Sequence, residues 1–222
     1  MGLNNNNLNH YNILADLIDF PYPGYHQKVG NACNLLKQVY PSAQTVLTQF
    51  KSYIDKTSPE KTEELYLRTF AIQAVTTLDI GYVLFGDDYK RGELLVNLSR
   101  EHAKAGNDCG NELADNLANL LRLLSITKDS EFRNELVGII VLPALGKIIS
   151  EFDIENINIK NKVYNRKYKT LIEQPEDSAR MFLLPLLAIQ KILEKDFGLF
   201  NTKKIKTESN FTDSIVNEIK ID

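Results

Sequence analysis

Apolar residues recur every three or four positions along nearly the whole chain and almost nowhere alternate with polar ones, the pattern of amphipathic helices rather than strands. Leu113, Leu117, Leu120, Leu121 and Leu124 fall at i, i+4, i+7, i+8 and i+11 and so line one helical stripe, with Asp115 placed to cap its start. Ser58-Pro59-Glu60 reads as a helix opening: a capping hydroxyl, a proline at the first helical position and an acid near the positive end of the dipole. That helix carries Tyr66, Thr69 and Phe70. Tyr89 to Ala105 reads as a third helix, with Leu94, Leu95 and Leu98 inward and Gly106 placed to end it. Further helices are predicted at about 8–19, 25–39, 42–55, 130–150, 161–173 and 178–196.

Pro143 and Pro185 are expected to kink their helices, because each removes a backbone donor and crowds the preceding turn. Ile154 to Lys160 alternates briefly, is rich in asparagine and reads as a linker. The longest apolar stretch, Leu136 to Gly146, falls far short of the ~20 residues that span a bilayer and reads as a buried core helix. The expected fold is therefore all-α, a single helical domain over residues 1–198 followed by a polar tail over 199–222. In that tail Phe211, Ile215, Val216 and Ile219 could form a short amphipathic helix. The loose basic run Lys160, Lys162, Arg166, Lys167 and Lys169 reads as a solvated helix face.

Composition narrows the function more than the fold. The chain has 222 residues, 43% hydrophobic and 25% charged, with a net charge of -3, so nothing in it offers a basic footprint for nucleic acid. Cys33 and Cys109 stand too far apart for a Cys-x-x-Cys zinc or redox pair and read as small hydrophobes in a reducing cytosol. The N-terminus has neither a basic n-region nor an apolar h-region, which leads to the expectation of a cytoplasmic protein with no membrane insertion.

None of the common catalytic or metal-binding motifs is complete in the sequence. His10, His26 and His102 are preceded three residues earlier by Asn7, Pro23 and Ser99, so the Glu-x-x-His pairs of a helical di-metal site are absent. Gly81 and Gly86 have the spacing of a P-loop, but Asp87-Asp88 follow where Lys-Ser/Thr is needed, and two acids there would repel a phosphate. No Gly-x-Ser-x-Gly or Gly-x-Gly-x-x-Gly occurs. The expectation is a protein without catalytic residues, metal or cofactor of its own. Of the acidic pairs, Glu63/Glu64 and Asp87/Asp88 read as solvated, while Asp88 and Asp115 are candidate partners for a cation on a bound peptide.

What remains is a stretch from Glu64 to Gly92 that mixes aromatics, charges and two glycines without reactive side chains, and reads as a binding surface. Three blocks there and just beyond carry a resemblance: Tyr66-x-x-Thr69-Phe70, then Phe85-Gly86-Asp87-x-x-x-Arg91-Gly92 leading into Leu95-Val96-x-Leu98, then Glu112-Leu113-x-Asp115-x-Leu117. In this order and spacing they resemble the nitrate reductase delta-subunit family, the NarJ-like assembly chaperones within the TorD/DmsD group of molybdoenzyme maturation chaperones. The likeness covers roughly Glu64 to Leu124. Ala71, Asn116 and Ala118 depart from it, standing where the family usually has Asp, His or Tyr, and Pro.

The resemblance implies a TorD/NarJ-type helical bundle, a monomer or weak dimer. It would bind the immature catalytic subunit of a molybdenum oxidoreductase, often at its N-terminal segment, and keep it open to cofactor insertion. The molybdenum cofactor belongs to that client. The client segment is expected to lie as an amphipathic helix in a groove around Tyr66, Thr69, Phe70, Leu113, Asp115 and Leu117, bordered by Tyr82, Phe85, Asp88 and Arg91. Two plainer readings stand beside it: Tyr66 and Phe70 as core, and Asp88 paired with Arg91. The competing function class is a helical regulatory or scaffold protein that binds a small molecule or a stable partner.

Overall fold

The first described helix forms because Tyr11, Leu14 and Ala15 share a face that buries completely, and it ends in turns that bury Leu17 and Ile18 as well. The computed structural model describes residues 8–168 and 180–198. The helices in order are α1 (His10–Ala15), α2 (Tyr25–Val39), α3 (Pro41–Ile54), α4 (Pro59–Phe70), α5 (Ile80–Phe85), α6 (Tyr89–Ala105), α7 (Leu117–Ile126), α8 (Ser130–Glu135), α9 (Leu142–Ser150), α10 (Ile154–Tyr168) and α11 (Leu183–Phe197). No strand forms among the described residues, and the fold is an all-α single domain. The boundaries at α4 and α6 fall where the sequence places them. Ser58 Oγ accepts from Lys61 N, and Gly106, at φ 72 and ψ 27, supplies the left-handed residue that closes α6.

Four elements differ from the sequence reading. α7 starts at Leu117 with Asn116, not Asp115, as its cap: the Asn116 side chain accepts from Ala118 N at 3.0 Å. Leu113 thus lies in the turn before the helix. The predicted helix over 130–150 contains a π-helical turn at Leu136–Val141, where the N–H of Leu142 reaches back five residues to Val137 O. Pro143 follows at once, so the widened turn absorbs the register that its missing N–H would disturb. Pro185 is the third residue of α11, in a first turn whose N–H groups have no partner inside the helix, and no kink is needed there. Ile154–Lys160 is the start of α10 rather than a linker, and its Ile157 N–H bonds Asp153 O at 3.0 Å.

α11 is the hub. Leu186, Ala188, Ile189, Ile192 and Leu193 are all buried, and the helix packs along α3 on one side and α9 on another. α1 packs on α7 and α2 on α3. Each such Leu or Ile stabilises by about 1.5–3 kcal/mol relative to an exposed position, which is why a hub apolar on most sides stays helical and central. Leu136, Val137, Ile140 and Val141 are buried too, as expected of the longest apolar stretch. Residues 161–168 of the predicted 161–173 helix form the second half of α10, while its remainder beyond Tyr168 and the tail over 199–222 lie outside the described residues.

One polar cluster joins three parts of this core. The Asp196 carboxylate, near the end of α11, accepts from Tyr11 Oη at 2.9 Å, Tyr40 Oη at 2.6 Å and His10 Nε2 at 2.9 Å. It ties α11 to α1 and to the α2–α3 junction. Burial alone would raise its pKa, but the hydrogen bonds from His10, Tyr40 and Tyr11 outweigh that and hold it below the ordinary carboxylate range.

Candidate functional site

The residues between α4 and α5 decide the geometry of the site. α4 ends as Ala71 and Ile72 both donate to Leu67 O, and Gln73 then takes a left-handed conformation at φ 49, uncommon for a residue with a side chain. Thr76 N returns to Thr69 O at 3.1 Å, closing the loop on itself. Beyond it, Leu78 to Gly81 runs beside Asp115 to Leu117: Ile80 N donates to Asp115 O at 3.0 Å, Leu117 N to Leu78 O at 2.9 Å, and Asp79 forms an isolated antiparallel bridge with Asn116.

Gly81 is where this contact is tightest. Its N–H donates to Asp115 Oδ2 at 3.0 Å, and a Cβ on it would stand 2.7 Å from that oxygen and 3.2 Å from both Arg91 Cγ and Leu94 Cδ2. Arg91 completes the lock from α6. Its Nη2 reaches Asp79 Oδ2 at 3.2 Å, its Nε stands 3.5 Å from Asp115 Oδ2, and its guanidinium lies 5.3 Å from the centre of the Tyr82 ring. Burial raises the Asp115 pKa and the Asp79 charge adds to it, while Arg91 and the Gly81 N–H oppose the rise.

This lock corrects part of the predicted site. Asp115 is 0% exposed and bound by its own chain, so it does not face a docked peptide. Leu117 and Thr69 are buried as well, Thr69 Oγ1 donating to Leu65 O at 2.7 Å. Arg91 does not pair with the Asp88 side chain. Asp88 instead caps α6 by accepting from Lys90 N at 3.0 Å, and it is the Arg91 backbone N–H that bonds Asp88 O. Phe85 is half-buried against the core, and Leu113, 47% exposed, stands apart from the groove described next.

Tyr66 and Phe70 serve mainly as core. Their rings are 5.1 Å apart, each packs edge-on against Phe182 at 5.6 and 5.4 Å, and Tyr66 also meets Phe20 at 5.5 Å. Burial pushes the Tyr66 hydroxyl pKa up. Phe70, however, reaches a second environment: it lines a groove of about 620 Å³.

The groove runs between the α4–α5 loop and α10. Ala74, Thr76 and Thr77 form the loop side, and Tyr82 and Val83 come from α5. Lys147 and Ser150 of α9, Glu151 just after it, and Ile159, Lys160, Val163 and Tyr164 of α10 complete it. Lys160 holds the two walls together, since its Nζ donates to Val75 O in the loop and pairs with Glu151 at 2.6 Å. Ile159 and Val163 nevertheless remain 59% and 56% exposed. Of the predicted site residues, Phe70 and Tyr82 line this groove and the others do not.

The sequence reading places helices at 130–150 and 161–173 but takes Ile154–Lys160 for a linker, so it misses the first half of α10, with Ile159 and Lys160, as part of a wall. The signal was present in the Ile159/Val163 spacing of four, which puts both on one face of a helix.

The lining is aliphatic and aromatic with hydroxyls and one Lys–Glu pair, and no histidine or cysteine is among its described residues. His102 is used elsewhere: its Nε2–H donates to Ala114 O and its Nδ1 accepts from Asn107, with burial lowering its pKa. Among the described residues no group of three or more His, Cys, Asp or Glu gathers as a metal ion would need, and no helix is long and apolar enough to cross a membrane. Fold and groove together define an all-helical protein with an apolar groove rimmed by polar groups. No family model and no curated protein matches the chain.

Proposed function

We propose that this chain is a cytoplasmic assembly chaperone. It binds the N-terminal segment of the immature catalytic subunit of a molybdenum-cofactor oxidoreductase, such as a respiratory nitrate reductase, and keeps that subunit competent for cofactor insertion. The observation that carries the reading is the groove between the α4–α5 loop and α10. It has an apolar lining from Phe70, Val83, Ile159 and Val163, an aromatic edge from Tyr82, and polar groups along its rim. An amphipathic helix laid in it would bury its apolar face and leave its polar face in water. The order of the three sequence blocks supports the same reading, with Phe70 of the first block in the groove lining and Arg91 and Asp115 of the other two in the lock behind it.

The energetics suit a partner that must leave. Four to six client side chains at roughly 1.5–3 kcal/mol each give about 10 kcal/mol of gross stabilisation. Association and ordering cost several kcal/mol, leaving an affinity of about micromolar. The cofactor stays with the client, and the chaperone supplies only shelter.

A titration with the client's N-terminal peptide tests this. Val163→Asp, at an exposed position on the groove wall, is expected to weaken binding at least about tenfold, since a buried charge opposite an apolar face costs more than 1.4 kcal/mol. Leu113→Asp, outside the groove, is expected to leave affinity unchanged. Equal affinities across wild type and both variants would remove the groove from the proposal. A second reading, a regulatory protein holding a small molecule, draws on the volume of about 620 Å³, within the range of small-ligand clefts. A metabolite that stays with the protein through purification and is displaced by Tyr82→Ala would select it.

A further inference from the structure

We infer that the groove has a resident occupant, the chain's own segment 208–222, seated as an amphipathic helix that a client must displace. This rests on the reading of the groove as a helix-docking surface, and it adds the regulation of that surface. The segment lies outside the described residues, so the inference stands on its sequence, on the groove and on the chain that connects them.

Complementarity of surface comes first. Phe211, Ile215 and Ile219 recur every four residues, with Val216 beside them, and would form one apolar stripe about two turns long in a helix. The groove wall offers Ile159 and Val163, exposed and also four apart. Two short apolar stripes of matching pitch can therefore cover each other.

Charge is the second observation. Glu208, Asp213, Glu218 and Asp222 outnumber the single Lys220 in the segment. On the groove rim Lys160 is already paired with Glu151, whereas Lys147 has no ion pair among the described residues and lines the groove while exposed. An acidic helix thus meets a rim with one cation left over.

Reach is the third. α11 has 15 residues and so spans about 22 Å. Phe182, immediately before α11, touches Phe70 of the groove with ring centres 5.4 Å apart. The chain leaves the other end of α11 at Gly198, whose φ of 80 stops the helix. Residues 199–210 can extend up to roughly 40 Å, enough to return to the groove with slack for a path around the surface.

A tethered segment acts at an effective concentration of about millimolar. With an intrinsic dissociation constant of about 0.1 mM, the tail would lower the apparent affinity of any competing helix about tenfold.

The test is a fluorescence-anisotropy titration of a synthetic peptide of residues 208–222 against the full chain and against the full chain carrying Ile215→Asp and Ile219→Asp. Thermal melts check that both are folded. The double variant is expected to bind the peptide about tenfold more tightly than the wild type, and adding Val163→Asp should abolish that gain. Equal affinity in wild type and double variant overturns the inference. The client's N-terminal peptide, titrated in parallel, separates this from the chaperone reading. A client peptide that binds both forms equally tightly leaves the chaperone reading standing and sinks the resident tail. A tenfold gap for the 208–222 peptide, with no client peptide binding either form, does the reverse.

Discussion

Gly81 and Gly92 look alike in the sequence, since both sit in the Glu64–Gly92 stretch that reads as a binding surface, yet the structure gives them opposite roles. At Gly81 a methyl group would meet the Asp115 carboxylate at 2.7 Å, with Arg91 and Leu94 close behind; Asp115 and Arg91 are held in the lock and Leu94 is fully buried. Gly81→Ala should therefore destabilise the chain by about 2 kcal/mol or more, the scale of overpacking at a closed site. Gly92 sits on an exposed face of α6 with nothing within 4 Å of an added Cβ, so Gly92→Ala should stabilise by roughly 0.5–1 kcal/mol through helix propensity. Urea unfolding of both variants checks this pair, and equal effects of one sign would refute it. Residue patterns in the sequence marked Arg91 and Asp115 as special but pointed them outward. Their burial is set by the approach of two segments more than twenty residues apart, which periodicity along one helix does not encode.

Helices were legible where capping chemistry and apolar spacing agreed, as at Ser58 before α4 and Gly106 after α6. They were misread where the two conflicted. In the first half of α10 the asparagines at 156 and 158 argue for a loop, while Ile159 and Val163 share a face only in a helix. The structure resolves the conflict through contacts no local pattern contains: Asn156 Nδ2 donates to Ser150 O at 2.9 Å, and Lys160 reaches across to Val75 O and Glu151. Lys160→Met should therefore loosen α10 from the α4–α5 loop with little change in global stability, since a half-exposed pair contributes at most about 1 kcal/mol. Hydrogen exchange is the measurement. Faster exchange in α10 with unchanged protection in α11 is expected, and uniform behaviour of the two helices would show that Lys160 does not hold the groove wall. Because that wall supplies half of the apolar lining, the same variant should weaken peptide docking along with α10 ordering.

At the scale of the whole molecule, a single carboxylate joins described parts of the chain 156 to 186 residues apart. Asp196 gathers donors from α1 and from the α2–α3 junction onto the end of α11, the helix on which the core is assembled. Its pKa is lowered in the folded state, because the hydrogen bonds from His10, Tyr40 and Tyr11 overcome the burial that alone would raise it. A lowered folded pKa contributes stability that is fully present above the unfolded value, near 4, and lost as pH falls through the folded one. Asp115 works in the opposite sense. Burial and the neighbouring Asp79 raise its pKa, so its contribution is present below the unfolded value and fades as pH rises through the folded one. The two groups thus pull the acid limb of stability in opposite directions, and Asp196→Asn isolates one of them. The variant should be less stable than wild type at neutral pH, and the gap should narrow as pH falls below about 4, where the wild-type carboxylate is protonated as well. Urea midpoints measured from pH 7 down to pH 3 decide it: a gap that stays constant with pH would show that the three hydrogen bonds hold Asp196 without favouring its charged form.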